Sequence, residues 1–190
     1  MAKKKSLFHF DFTRLGNDDR HRVVLRLSES GIQDFQQMNI QPTKTFLRLW
    51  SLANVEAWFC QAATIEPAHF WIACLKLADP KIAAAMLDGG ASPEECTEQT
   101  AEAGRILAYL EMDADTAAQR RREMRARLLR GRSPREFPEG ELPRLHRSES
   151  SRRLFEIALR KAAEHKSETL SPMHLLESIF DMQLVSLGAL

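Results

Sequence analysis

The residues best suited to chemistry in this sequence are two histidines standing in matching surroundings. Ile65-Glu66-Pro67-Ala68-His69-Phe70 recurs as Leu170-Ser171-Pro172-Met173-His174-Leu175, so proline and histidine both return 105 positions later. Imidazole changes charge near neutral pH and binds metals, which makes each ring a candidate acid–base group or ligand. No cysteine or carboxylate recurs at ligand spacing around either ring, and a metal site needs three or four such groups. A structural role fits the spacing better. Proline is favoured at the first helical position, where its missing N–H costs nothing, so Pro67 and Pro172 each open a helix. Ser171 is a good N-cap residue. His69 and His174 then fall at the third helical position, where Glu or Gln commonly reaches back to the N–H of the cap residue. A neutral imidazole nitrogen can accept that bond, and the helix dipole disfavours imidazolium there. Glu66, a poorer cap than Ser, predicts a looser first copy.

Other chemistry is missing from the sequence. There is no G-x-x-x-x-G-K-[ST] to cradle a triphosphate, so the chain is not expected to be an ATPase in itself. There is no G-x-S-x-G elbow and no H-E-x-x-H pair. The expectation is a non-enzymatic chain with no catalytic residues, no bound metal and no cofactor.

The elements that carry the histidines form an internal repeat, and a repeat dictates the architecture before any local detail does. At the same offset, Leu49-Trp50 matches Leu154-Phe155, Ala53 matches Ala158 and Ala57 matches Ala162. Each copy therefore reads as helix, short link, then a second helix opened by Pro–X–His. In the first copy Phe46, Trp50, Ala53, Ala57 and Gln61 keep helical spacing behind a cap at Thr43 or Thr45. A second helix spans about 67–77, and Ile82, Ala83, Met86 and Leu87 lie on a third. Gly89-Gly90 ends the third helix through a left-handed residue. Ser92-Pro93-Glu94-Glu95 starts a fourth with a capping box.

This doubled pattern resembles the N-terminal domain of the Clp family of AAA+ unfoldases, a tandem of two four-helix repeats. The closest stretch is Ile65 to Leu75; Leu77-Ala78-Asp79-Pro80 through Asp88 resembles the following loop and third helix. Arg152-Arg153-Leu154-Phe155-Glu156-Ile157-Ala158 resembles the first helix of a second repeat, and the disaggregase and type VI secretion branches are nearest. The resemblance implies an all-α fold of two pseudo-repeats, residues 43–112 and 148–190. Between them 113–147 is read as a charged connector followed by a Pro- and Gly-punctuated surface linker from Ser133 to Pro143, a spacer longer than the family's. The second copy reaches Leu190 inside what would be its third helix, so it is read as incomplete. Residues 1–42 have no counterpart and are read as an N-terminal extension. The resemblance further implies a module that binds client polypeptides or adaptor proteins for a Clp-type ATPase ring.

The extension has its own signals. Phe8, Phe10 and Phe12 alternate with His9 and Asp11 at strand period. Gly16-Asn17-Asp18-Asp19 is a turn signal, with Val23 to Leu27 as the returning strand. A helix capped by Asn17 is the competing reading. The three phenylalanines are either core or, as a candidate partner-binding stripe, one wall of an apolar groove beside the first repeat.

Charge is partitioned further on. Residues 88–115 are mostly acidic, whereas Arg120 to Arg135 is crowded with arginine. Such a run suits phosphate backbones or an acidic partner, giving an alternative reading as a free-standing regulatory or nucleic-acid-binding protein. No aromatic residues interleave with the arginines as single-strand binding would want. The favoured reading is a solvated connecting helix whose Leu128 and Leu129 touch the core, with nucleic acid not a partner. A net charge of +1 gives no global pull toward nucleic acid or membrane. No apolar run approaches membrane-spanning length, and the three cysteines form no C-x-x-C pair. Unpaired cysteines within apolar helical patterns fit a reducing cytoplasm.

Overall fold

In a computed structural model, residues 8–11, 22–25, 40–138 and 142–182 are described. Seven helices account for most of them: α1 Lys44–Phe59, α2 Pro67–Leu77, α3 Pro80–Asp88, α4 Pro93–Tyr109, α5 Ala114–Leu129, α6 Glu149–Glu164 and α7 Pro172–Asp181. The fold is all-α. Four short strands accompany the helices: β1 Phe8–Asp11, β2 Arg22–Leu25, β3 Gln41–Pro42 and β4 Thr169–Leu170.

The 105-residue offset governs the helix ends in detail. Thr43 caps α1 by accepting from Phe46 N–H, and Ser148, its counterpart, caps α6 by accepting from Ser151 N–H. Both helices end in the same way. Gln61 at φ 58° and its counterpart Lys166 at φ 53° are left-handed. Ala62 N–H then returns to Ala57 O at 2.9 Å, as Ser167 N–H returns to Ala162 O at 2.8 Å. This is the six-to-one bond of a Schellman ending, made without glycine at either site. Gln61 thus lies beyond the first helix rather than on its stripe. Gly90, at φ 86°, closes α3 with the same bonds, and Ala91 N–H reaches Met86 O at 2.9 Å.

The two helix pairs also exchange backbone contacts crosswise. Pro42, just before α1, pairs in parallel with Leu170, just before α7. Arg147, just before α6, bridges in parallel to Ile65, just before α2. Pro42 and Arg147 are offset counterparts, and so are Ile65 and Leu170. Each pair thus grips the lead-in of the other's second helix, the contact pattern of a local two-fold axis. Thr43 N–H to Leu170 O at 2.9 Å and Ser148 N–H to Ile65 O at 3.1 Å are the matching bonds.

Helix α2 is the centre. All eleven of its residues are buried, as expected of a helix apolar on nearly every side, and α1, α4, α5, α6 and α7 surround it. Phe155 of α6 sits among first-copy rings, edge-on to Phe46 at 5.5 Å, Trp50 at 5.1 Å and Phe70 at 5.1 Å. Ala53, Ala57, Ala158 and Ala162 are wholly enclosed; side chains this small let helices approach closely. On α3 the buried face is Ile82, Ala85 and Met86. Leu87 instead turns outward and is 52% exposed.

The N-terminal strands pair antiparallel, with Phe8 opposite Leu25 and Phe10 opposite Val23. The returning strand begins at Arg22, one residue earlier than the sequence implies. Phe12, the Asn17 cap signal and the stretch beyond Met182 lie outside the described residues.

Candidate functional site

Three constellations merit consideration as a site: the paired histidines, a buried charge cluster, and the outer face of α1.

Both histidines sit at the third position of a proline-opened helix. Glu66 N–H donates to His69 Nδ1 at 2.8 Å, and Ser171 N–H donates to His174 Nδ1 at 3.1 Å. The Ser171 hydroxyl lies 3.3 Å from the same ring nitrogen. An accepting Nδ1 fixes the neutral tautomer with its proton on Nε2. Burial pushes the His69 imidazole down to about 4, against the pull of Glu56 and Glu66. Burial also lowers His174, helped by the nearby His165 and Lys161 and opposed by Glu177. Both shifts favour the neutral ring that a cap acceptor requires. The same capping box closes both starts, and in the first copy the Thr64 hydroxyl donates to the Glu66 carboxylate at 2.7 Å. The His165 and His174 rings lie 5.5 Å apart, tilted 48° to one another, but no group of three or more His, Cys, Asp or Glu among the described residues could hold a metal.

The charge cluster was not anticipated by the sequence reading. Glu56, on the buried side of α1, accepts two bonds from Arg125 of α5: Nε to Oε2 at 2.7 Å and Nη2 to Oε1 at 2.6 Å. Lys76 of α2, itself buried, approaches Oε1 at 3.4 Å. Burial by itself would raise the Glu56 carboxyl; Arg125, Lys76 and Arg121 outweigh it and hold the group down to about 2. Arg121 also meets Asp79, the α3 cap, at 3.3 Å. The signal lay in Glu56 and Lys76, single charges of opposite sign inside apolar helical windows. A second buried carboxylate, Glu102 of α4, accepts Met173 N–H in the first turn of α7 at 3.3 Å, and burial raises its proton affinity against the pull of Arg105.

These ion pairs revise the reading of the arginine segment. The helix over 114–129 is not merely a solvated connector, because Arg121 and Arg125 point inward and join α5 to the core. Its apolar contact runs through buried Ala117 and Met124, with Leu128 partly covered. Arg132 is also spent locally, donating to the carbonyls of Leu128, Leu129 and Cys60. The charge density a phosphate backbone would meet is correspondingly reduced.

The outer stripe of α1 carries Trp50, Asn54, Trp58 and, just past its end, Gln61. Each engages the segment that follows α5. Gln61 Nε2 donates to Ser133 O at 2.6 Å and Trp58 Nε1 donates to Glu136 O at 3.1 Å. Asn54 Nδ2 donates to Pro143 O at 3.2 Å while its Oδ1 accepts Leu145 N–H at 2.9 Å. The Arg147 guanidinium lies 4.9 Å from the Trp50 ring centre and 4.5 Å from that of Phe155. The stretch expected as a surface linker is therefore fastened along a helix, running opposite to it. The spacing i, i+4, i+8, i+11 of four hydrogen-bonding or aromatic residues was visible in the sequence, but its partner was not.

Of the candidate partner-binding phenylalanines, Phe8 and Phe10 belong to β1. The backbone of β1 runs beside α3. Cys60, Cys74 and Cys96 are buried free thiols; burial pushes Cys60 up to about 12 and Cys74 higher still. Among the described residues no helix is long and apolar enough to cross a membrane.

No protein-family model matches this chain. No curated protein matches it either.

Proposed function

We propose that this chain is a protein-recognition module of the Clp N-terminal type, binding client polypeptides or adaptor proteins for a Clp-type AAA+ unfoldase and doing no chemistry itself. The observation that carries the reading is the pair of Pro–X–His helix starts at one constant offset, each in a helix pair that grips the other crosswise. The resemblance implies two copies of one helical unit, and this arrangement supports that reading. The buried groups fit a passive scaffold: both histidines accept cap bonds at Nδ1, burial raises the Cys60 and Cys74 thiols, and Glu56 is locked between cations. In this reading the module works in the cytoplasm, consistent with its free thiols.

The partner surface proposed is the stripe that strand-period alternation in the sequence gives to Phe8, Phe10 and Phe12. An apolar wall beside helices suits a client helix docking through residues at i, i+4 and i+7. The test is a tiled array of peptides from Clp-type clients and adaptors, followed by anisotropy titration of the chain and its Phe10→Ser variant. Saturable binding lost in a Phe10→Ser protein of unchanged melting temperature supports the surface. Absence of binding to every peptide, or equal binding by both proteins, sinks it. Nucleic acid is the rival ligand, and its signature is an affinity that falls steeply with salt.

A further inference from the structure

Strands β1 and β2 form a two-stranded antiparallel sheet with no other described strand on either side. Phe8, His9, Phe10 and Asp11 stand opposite Leu25, Val24, Val23 and Arg22. The backbone of β1 runs beside α3, and β2 has no comparable approach to any described helix. β2 is therefore the outer strand. Along an antiparallel strand the main-chain N–H and C=O groups of successive residues turn to opposite sides. Half of those on β2 are directed at β1 and half away from it. Among the described residues no strand takes up the second set.

The sequence of this edge says what it can pair with. Edge strands are commonly blunted by proline, a bulge or charge. Arg22-Val23-Val24-Leu25 has no proline or glycine, and it pairs with β1 residue for residue, without a bulge. Valine is well suited to a strand. Charge is the one guard present, and it has a single sign. From Arg20 to Leu27 the sequence carries three arginines and no acid. Arg20, Arg22 and Arg26 are separated by even intervals, the spacing of residues that share one side of a strand. β1 supplies one acid, Asp11, at the position opposite Arg22. A second copy of β2 is a poor occupant, because like charges brought together across a ladder are destabilising. An acidic strand meets no such barrier. The arginines guard the edge against self-pairing and leave it open to segments of opposite charge.

We propose that the outer edge of β2 accepts a further strand from a partner protein, an extended segment with acids at the positions meeting Arg22 and Arg26 and β-branched or aliphatic residues between them. Main-chain hydrogen bonds to the edge supply the affinity, as in strand addition generally, and the paired charges supply the choice of partner. β1 is the precedent within the chain: an extended segment with apolar residues at the Val23 and Leu25 positions and an acid at the Arg22 position. The inference rests on reading the chain as a protein-recognition module. It adds a second ligand class, an extended acidic segment held at a main-chain edge, to the client helix proposed for the phenylalanine stripe.

The experiment titrates the full, isotope-labelled chain with the peptide Thr-Glu-Val-Thr-Val-Glu-Thr, whose two acids have the spacing of Arg22 and Arg26. A peptide with lysine for both glutamates tests the charge, and one with a Gly-Pro-Gly centre between the two glutamates keeps the charge but forms no strand. The expected result is saturable binding of the first peptide alone, with slowed amide exchange at alternate residues of β2. Arg22→Gln combined with Arg26→Gln should weaken it about fivefold, the size expected of two exposed ion pairs. Arg26→Glu should bind the lysine peptide better than wild type does. No saturable binding, equal binding of the Gly-Pro-Gly peptide, unchanged exchange in β2, or indifference to the arginine replacements each overturns the proposal. If Arg22→Gln loosens the hairpin, seen as lost nuclear Overhauser contacts between the β1 and β2 backbones, Arg26→Gln alone carries the test, with a loss of about twofold. Concentration-dependent protection of β2 in the chain without peptide overturns the partner and assigns the edge to a second copy. Failure here alongside Phe10→Ser-sensitive client binding in the tiled array removes this edge alone; failure of both removes the recognition reading.

Discussion

Arg125→Met is the sharpest test of what holds the first five helices together. Glu56 is fully buried, and Arg125 supplies two of its short bonds, while Lys76 stands off at 3.4 Å. In the folded chain the carboxyl is held down to about 2 from an ordinary 4.5. At about 1.4 kcal/mol per unit, that difference corresponds to about 3 kcal/mol of stability at neutral pH. Removing the guanidinium takes both short bonds from a buried carboxylate and leaves Lys76 at 3.4 Å as its close cation, a defect of the kind that typically costs about 3–5 kcal/mol. The sign of the pH effect follows. A carboxyl whose proton affinity is depressed by folding contributes fully above about pH 4.5 and loses its contribution as pH falls toward 2. In Arg125→Met, burial dominates and the carboxyl rises, so this acid-side slope flattens or reverses. Urea unfolding followed by circular dichroism at pH 7 and pH 3.5 measures both effects. The combined replacement of Glu56, Lys76 and Arg125 by apolar residues of similar volume should recover most of the loss, since removing a whole buried ion cluster is often neutral. A single Arg125→Met variant within 1 kcal/mol of wild type at pH 7, with an unchanged pH slope, would refute the reasoning.

Three further outcomes follow from the same geometry. His69→Gln should keep the reach-back cap, because Gln is a normal residue at that position. It should also remove about 2 kcal/mol of stability loss between pH 7.5 and 5, where the unfolded imidazole takes up a proton that the folded one, near 4, refuses; paired urea curves at the two pH values read this directly. Lys166→Gly should raise stability by about 1 kcal/mol by relieving a left-handed backbone. Gln61→Gly should gain less, because it forfeits the bond to Ser133; thermal melts of the two variants side by side give the comparison. Ala158→Leu should destabilise by about 1–3 kcal/mol or more, since a wholly enclosed methyl has no room to grow; a melting temperature equal to that of wild type would show the interface to be looser than described.

Local signals in the sequence translated well wherever one residue and its near neighbours decide the outcome. The proline at the start of α2 and α7, the Ser92–Glu95 box at 3.2 and 3.3 Å, and the left-handed Gly90 all depend on bonds spanning a few residues. The Phe8–Asp11 strand was legible from alternation alone, although its returning partner shifted by one residue. Contacts that join distant segments were not legible. Nothing near Glu56 announces Arg125, 69 residues away, and amphipathic spacing gave arginines a solvated face by default. The α5 helix defeats that default because its outward-looking composition conceals two guanidiniums committed to buried or half-buried carboxylates. The linker misled for a related reason. Proline and glycine punctuation predicts the absence of helix and strand, but it is silent on whether the chain lies free or is fastened. Asn54, Trp58 and Gln61 fasten it through main-chain atoms, which carry no sequence signature on the partner side.

The crosswise bridges explain why the two histidine motifs have to occur as a pair. A helix as apolar as α2 cannot tolerate water on any side, and the first copy alone supplies α1 and α4 to cover it. The remaining cover is α5, α6 and α7, two of which come from the second copy. Phe155 completes the ring cluster with Phe46, Trp50 and Phe70, in the position corresponding to Trp50 of the first copy. Each pair therefore leaves apolar surface that the other helps to bury. The Pro–X–His starts sit where that exchange is registered: the residue two before each proline-opened helix, Ile65 or Leu170, is the one gripped by the opposite lead-in. A cap that holds the first turn rigid also fixes the angle at which that residue is presented. The histidines on this account serve the joint between the copies, and their burial as neutral rings follows from standing beside it.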